Sequence, residues 1–438
     1  MSIHSFRRAA ARPLSAGDPR AAGPALARVA SSRPGSGRPG APGEGGGTEP
    51  SRLAPAAILA LGTFAIGAEG FMIAPLLPRM AEDFGMSVPA AASLVVVFTL
   101  ALAVSSPLST ALTGSLNRRS VLLLAMGVFT AANLAAALSP GFWGLMAARV
   151  FMAACSGLYV PAANALAGAL AGPARRGRAL GIVSGGMTLA IALGLPLGAA
   201  VGHAFGWRAT FLGVAVLGAA AFAGILLGIR PEAGRGLRAA GLAERLGVVR
   251  QAPVRRLLAV TLFWSIGAYE TYPYIAAWLT AVLGFGSSEI GWTVSMWGAF
   301  AAAGVLSGGA LNDRFGSNRV ARVSLALLAL AYLALAAATG TAQPEATPLA
   351  LGAIALWGFA VWSFFPAQMA RLTAAGPAEQ APVALALNTS TMYFGFSLGS
   401  AIGAAALGAQ ALWAIGLIAA AAEVVALALD GRLARGRR

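Results

Sequence analysis

The chain of 438 residues is 58% hydrophobic and only 11% charged, with 56 glycines and a mean hydropathy of +0.75. A soluble globular chain keeps about a quarter of its residues charged, so this composition excludes a soluble domain and indicates a polytopic membrane protein. The net charge of +16 comes from arginine alone, and because it is distributed among apolar runs it is not read as a nucleic-acid surface.

Residues 1–52 are rich in Arg, Pro, Gly, Ala and Ser and cannot bury enough apolar surface to fold, so they read as a disordered cytoplasmic tail. The first apolar run, LAPAAILALGTFAIGAEGFMIAPLL from Leu53 to Leu77, is long enough to cross a bilayer and carries one acid, Glu69. An ionisable group at that depth is costly enough to be a functional candidate. Hydropathy and punctuation then give twelve spans: 54–78, 89–113, 120–138, 142–170, 179–203, 209–229, 257–283, 289–311, 319–339, 348–371, 382–407 and 411–430. Residues 53–230 form an amino-terminal six-helix bundle and 257–430 a carboxy-terminal one. A cytoplasmic linker at 231–256 joins them, and 431–438 form a second cytoplasmic tail.

Sorting the connections by arginine content gives a lopsided result. Both tails, the linker, Arg118 and Arg119, Arg175 to Arg178, Arg314 to Arg322 and Arg371 fall on one side, while only Arg79 and Arg208 fall on the other. The positive-inside rule therefore places both termini in the cytoplasm.

The halves look like repeats. Glu69 and Glu270 lie 201 positions apart, each shortly after an Ile-Gly-Ala, and GSLN (Gly114 to Asn117) is echoed by GALN (Gly309 to Asn312). Small residues recur at every fourth position in the fifth span (Gly186, Ala190, Gly194, Gly198, Gly202) and the eleventh (Gly395, Gly399, Gly403). Such stripes let helix backbones approach closely in lipid. Two related bundles joined by a linker suit alternating access, in which rigid halves rock about a site near the midplane.

GGALNDRFGSNR, Gly308 to Arg319, resembles the Gly-x-Leu-x-Asp-Arg-x-Gly-x-x-Arg signature of the major facilitator superfamily. LLPRMAEDFGMS after the first span, RVFMAACSG from Arg149, GLPLG (Gly194 to Gly198) and GWRATF (Gly206 to Phe211) are similar to its drug:proton antiporter and arabinose-efflux-permease branch. The resemblance covers residues 53–430 and implies an all-α integral membrane protein of twelve helices in two pseudo-symmetric bundles. It further implies proton-driven export of a small molecule across the inner (plasma) membrane by a monomer. The amino-terminal copy, GSLNRRSVL, departs from the signature, with Arg118 in place of the Asp, so a cytoplasmic lock in this half has to be built differently. Asp313, Arg314 and Arg319 of the intact copy, with Gly194, Pro196 and Gly198, are the candidate gating residues.

Glu69 and Arg149 reach a similar depth, roughly 10–12 Å below the outer surface. A pair there allows protonation to be switched by moving the partner or by arriving substrate; the alternative is a packing acid beside an arginine that snorkels to the headgroups. Glu270 is the third coupling candidate. It stands among Tyr269, Tyr272 and Tyr274, a setting suited to a cationic or amphipathic ligand, or equally to interfacial aromatics beside a structural acid. Asn133, Asn164, Gln368 and Asn388 are further cavity candidates that hydrogen bonding between helices explains as well. Glu423, seven positions before Asp430, is read as packing or snorkelling, and Pro161, Pro196 and Pro366 as points of helix softening. One cysteine, Cys155, and two histidines, His4 and His203, exclude an internal disulfide and a metal cluster. No catalytic constellation, resident cofactor or folded extramembrane domain is read, so an enzyme and a receptor or scaffold rank behind transport. Uptake by proton symport or facilitation stays open.

Overall fold

The computed structural model describes residues 53–113, 116–234, 247–377 and 380–435; the tail expected at 1–52 and much of the linker lie outside these described residues. Among them, all regular structure is helical. The first half runs α1 (Ala54–Asp83), α2 (Val88–Leu108), α3 (Arg118–Ala137), α4 (Phe142–Ala171), α5 (Arg176–Phe205) and α6 (Trp207–Gly228). Next comes α7, built from Ala252–Thr271, a 3-10 turn at Tyr272–Tyr274 and a shorter helix, Ile275–Leu283. The second half continues with α8 (Ser287–Phe315), α9 (Ser317–Ala338), α10 (Ala346–Thr373), α11 (Ala381–Gly408) and α12 (Leu412–Arg435). Eleven of these are long and apolar enough to cross a membrane; α7 falls short by composition because its first part carries Arg255, Arg256 and Glu270. Counting α7, the twelve expected helices occur in the expected order.

Several expected boundaries move by a few residues, among them two that bear on the linker and the second tail. Helix α7 starts at Ala252 rather than 257, and α12 continues to Arg435 rather than stopping at 430. Pro253 explains the first, because proline is favoured in the opening turn of a helix, where its missing N–H costs nothing.

Both α1 and α7 break at a proline. In α1 a 3-10 turn at Ala74–Leu76 contains Pro75, and in α7 the turn at Tyr272–Tyr274 contains Pro273. A proline removes the hydrogen bond to the preceding turn, and the chain tightens locally in response. These turns lie 198 positions apart, as do the helix starts Ala54 and Ala252. The repeat is therefore offset by three from the spacing of the two acids, so Gly267, not Glu270, takes the place of Glu69 in the second half.

The small-residue stripes do bring backbones together. A methyl added at Gly194 would sit 2.9 Å from Ala68 Cβ, and one at Gly198 would sit 2.8 Å from Met72 Cβ, so α5 lies directly on α1. Likewise Gly395 faces Leu262 O at 2.8 Å and Gly399 faces Glu270 N at 2.9 Å, which lays α11 on α7. Helix α5 contains a π-helical turn at Ala190–Gly194, just before Pro196, and α8 rests on it, with a methyl at Gly298 reaching Ile191 O at 3.2 Å.

The halves meet at the arginine-poor end. Tyr272 Oη donates to Phe71 O at 2.8 Å, Ser397 Oγ donates to Val96 O at 3.0 Å, and Gly408 of α11 lies against Pro89 of α2. In α7 every residue from 267 to 276 is buried, whatever face it is on. Toward the arginine-rich end that burial lapses. Ala57 is exposed and Leu61 and Phe64 are half-buried along one stripe of α1, and Arg255 and Arg256 of α7 are exposed.

Replacing Gly399 by Leu is expected to destabilise the protein by about 1–3 kcal/mol through overpacking. Gly213, which faces open space, tolerates the same change. Thermal unfolding in detergent, followed by a thiol-reactive dye at the buried Cys155, measures both.

Candidate functional site

Glu69 and Arg149 form the ion pair that their depth suggested. Arg149 Nη1 donates to Glu69 Oε1 at 2.8 Å, and both side chains are 0% exposed. Three helices build the pair: α1 supplies the acid, α4 the base, and α2 a carbonyl, Leu94 O, which accepts from Arg149 Nε at 2.9 Å. The guanidinium also lies 4.4 Å from the centre of the Phe98 ring, a cation–π contact that is strong where water is excluded. Snorkelling is ruled out by this geometry. Glu69 Oε2 and Arg149 Nη2 have no hydrogen-bond partner, so each half of the pair keeps one unused polar atom.

Aromatic residues of the other half cover the pair. Tyr269 of α7 is close enough to Arg149, and Tyr393 of α11 close enough to Glu69, to interact with them electrostatically. The Tyr269 ring stacks on Phe396 with centroids 3.7 Å apart, and Tyr393 meets Phe396 edge-on at 5.5 Å. Phe71, two residues beyond Glu69, touches the rings of Tyr272 at 6.0 Å and Trp362 at 5.7 Å. Beyond these, Tyr272 continues to Trp297 at 4.8 Å and Trp357 at 6.3 Å. Only a water-sized void remains between Tyr272, Thr293, Trp297 and Trp357.

Tyr269 and Tyr272 thus sit at the seam between the halves, where a cavity was expected. Tyr274 does not: its hydroxyl donates to Ser400 O within the second bundle. Glu270 is also removed from the Glu69–Arg149 pair; it is 0% exposed, and neither of its oxygens has a hydrogen-bond partner. Because helical neighbours are set about 100° apart, Tyr269 facing the seam turns Glu270 toward the bundle interior.

Of the four amides, Gln368 and Asn388 bond between helices, while Asn133 and Asn164 bond back to their own. Asn133 Nδ2 donates to Phe129 O at 2.9 Å and Asn164 Nδ2 to Val160 O at 3.1 Å, each within its own helix. Gln368 Nε2 donates to Leu257 O at 2.8 Å and to Thr261 Oγ1 at 2.9 Å, while Thr261 Oγ1 donates to Asn388 Oδ1 at 2.6 Å. Arg371 Nη1 donates to Gln368 Oε1 at 3.1 Å and Nη2 pairs with Asp430, which also takes Arg322 Nε at 2.6 Å. Arg371 is therefore buried and paired, not the loop charge that the sequence suggested.

Asp313, Arg314 and Arg319 are exposed and enter none of the ion pairs found among the described residues; Arg314 instead lies 5.2 Å from the Phe315 ring. In the divergent first-half loop, Arg119 donates to Ile229 O at 2.7 Å and to Leu226 O at 2.8 Å, capping the end of α6. Asn117 Nδ2 donates to Pro231 O at 2.7 Å. Gly194, Pro196 and Gly198 mark the π turn and the α1 contact described above.

Sequence reasoning missed Phe98, Tyr393 and Trp362, whose roles depend on contacts between distant helices. It also undervalued Glu423, which is 0% exposed and so cannot snorkel. The spacing of seven that puts Glu423 and Asp430 on one helix face was the available signal, since that face turns inward.

The sequence model of the Major Facilitator Superfamily matches residues 59–400. The chain belongs to the major facilitator superfamily. Among relatives of this superfamily member, a chloramphenicol resistance protein of Streptomyces lividans is 34% identical over 264 residues, 59% of this chain and 67% of that protein. An uncharacterized MFS-type transporter of Bacillus subtilis (strain 168), YbcL, is 29% identical over 259 residues, 59% of this chain. That match spans 66% of YbcL, so the chain covers about two thirds of the length of these relatives. The crystal structure of a bacterial homologue of the human lysosomal transporter Spinster, inward-facing and occupied, superposes with a TM-score of 0.70 at 18% identity. It covers 89% of this chain and 98% of that one, and establishes the shared fold.

Removing Arg149 alone, as Arg149→Met, is expected to cost about 3–5 kcal/mol because it strands a buried carboxylate. The double variant Glu69→Leu/Arg149→Met recovers most of that loss, and the Cys155 unfolding assay reads both.

Proposed function

We propose that this chain is a secondary transporter that exports a small amphipathic aromatic molecule in exchange for protons, with Glu69 and Arg149 as the coupling pair. One observation carries the reading: a fully buried ion pair, with an unused atom on each partner, lies directly beneath the seam at which the two halves separate. An ionised pair sealed this far from water is held in place only while its partners stay put. When the seam opens, Glu69 Oε2 meets water and can take a proton, which weakens the hold of Arg149. A substrate that engages Arg149 or Glu69 competes for the same atoms. Competition between proton and substrate for one site converts a proton gradient into exchange.

Aromatic residues around the seam, Phe71, Tyr269, Tyr272, Trp362 and Phe396, supply flat apolar faces with hydroxyl and indole donors at their edges. That lining suits an aromatic molecule with polar substituents. Export is favoured over uptake by the relative named for chloramphenicol resistance. Asp313, Arg314 and Arg319, exposed and outside every ion pair among the described residues, and the uncovered stripe of α1, support a conformation closed at the arginine-poor end and open at the other. The arginine distribution supports both termini facing the cytoplasm of an inner or plasma membrane. In this reading the transporter works as a monomer driven by the proton gradient, with no resident cofactor.

In proteoliposomes with an imposed pH gradient, a panel of aromatic drugs that includes chloramphenicol is expected to yield a substrate that moves protons with the wild type. Glu69→Gln should lose gradient-driven transport by at least tenfold while keeping substrate exchange at equal pH. Undiminished gradient-driven transport by Glu69→Gln would refute coupling through this residue and leave a facilitator or a differently coupled carrier.

A further inference from the structure

Inside the second bundle, away from the seam, two carboxylates lie buried without an opposing charge. Glu270 of α7 and Glu423 of α12 are both 0% exposed, and none of their four oxygens has a hydrogen-bond partner. Neither enters any ion pair among the described residues. Their helices are in close contact: a methyl at Gly267, one turn before Glu270, would sit 2.9 Å from Glu423 Oε1 and 3.0 Å from Ala419 O. Tyr332 of α9 is near enough to interact electrostatically with both acids. It is itself fully buried, and its hydroxyl makes no hydrogen bond to either carboxylate. Trp357 of α10 packs beside it, with ring centroids 5.8 Å apart, and its indole interacts with the Tyr332 hydroxyl. Tyr274, a turn further along α7, is the other titratable group that interacts with Glu270.

The contrast with Asp430 on the same face of α12 is instructive. Asp430 has two arginines, Arg322 and Arg371; Glu423 has none. A carboxylate in a closed apolar bundle with neither a counter-ion nor a donor is too costly to persist as an anion. Two such groups buried in one bundle need positive charge to accompany them, which a proton supplies. We infer that Glu270, Glu423 and Tyr332 form a second proton site, separate from Glu69 and Arg149, which carries protons in the conformation described here.

The fold also links the two sites. Glu270 lies two residues before the break at Tyr272–Tyr274, and its backbone N–H and carbonyl lie against Gly399 and Gly403 of α11. Across the seam Tyr272 Oη is bonded to Phe71 O, two residues from Glu69. Opening the seam therefore breaks a bond anchored next to both acids at once. The proton site stands on its own geometry, and only its use in coupling rests on the transport reading above.

Infrared difference spectra of the full-length protein in lipid, recorded between acid and alkaline buffer without substrate, test the site directly. The expected result is a protonated-carboxyl band that loses intensity in Glu270→Gln and again in Glu423→Gln, shifts in Tyr332→Phe, and persists in Glu69→Gln. A band unchanged in both Glu270→Gln and Glu423→Gln overturns the inference. Carbodiimide labelling of the unsubstituted protein, mapped by mass spectrometry, reads the same protons if a variant fails to fold; labelling absent from both Glu270 and Glu423 likewise overturns it. Because neither readout involves transport, Glu69→Gln transporting normally would refute the proposed coupling pair without touching this result.

Discussion

Backbone contact between helices, α5 on α1 and α11 on α7, is the constraint on which the rest of the molecule depends. In a bilayer the lipid is as apolar as any side chain, so helices associate through packing and hydrogen bonding rather than through escape from water. Glycine at the contact lets two helices approach until backbone meets backbone. That approach leaves α1 and α7 enclosed by their own bundles except along the seam. It also fixes the depth and direction of every ionisable group they carry. Glu69 meets Arg149 because α4 packs against α1 on a side that α5 leaves free, while α2 reaches the pair through Leu94 O, which accepts from Arg149.

The two halves have the same architecture but different electrostatics. In the first half, one carboxylate is matched by one guanidinium at the seam. In the second, the matched charges, Arg322, Arg371 and Asp430, lie near the arginine-rich end, and the interior acids are left to themselves. An internal repeat preserves helix geometry because packing tests every turn. Charges are tested only where they act, so the repeat has been free to place them differently.

Much of this was legible in the sequence because hydrophobicity and small-residue spacing are local signals. Span count, the division into halves, the glycine stripes and the depth agreement of Glu69 with Arg149 could all be read along one dimension. What could not be read was rotation. Whether Tyr269 or Glu270 faces the seam is decided by a difference of about 100° around the helix axis, and the apolar composition of α7 gives no polar face to fix it. For the same reason the shared spacing of the acids misled. Glu69 and Glu270 follow the same tripeptide, yet the proline breaks show that the helices are registered three residues apart. Partners such as Phe98 and Leu94 O are contributed by helices distant in sequence, where no periodicity points to them.

The π turn in α5 explains how a stripe with a repeat of four stays on one neighbour. At 3.6 residues per turn, each step of four advances roughly 40° around the helix, so the stripe from Gly186 to Gly202 would wind through roughly 160° and leave α1 before its end. Absorbing one additional residue in a wider turn returns roughly 100° of that drift. The turn at Ala190–Gly194 occupies the middle of the stripe, and Gly194, Gly198 and Gly202 beyond it still face Ala68, Met72 and Leu76. In α11 the stripe spans only Gly395 to Gly403, its drift is half as large, and a regular helix accommodates it. The irregular turn thus acts as an angular correction, and deleting a single residue there would rotate the outer third of α5 off its partner while leaving the composition of the helix almost unchanged.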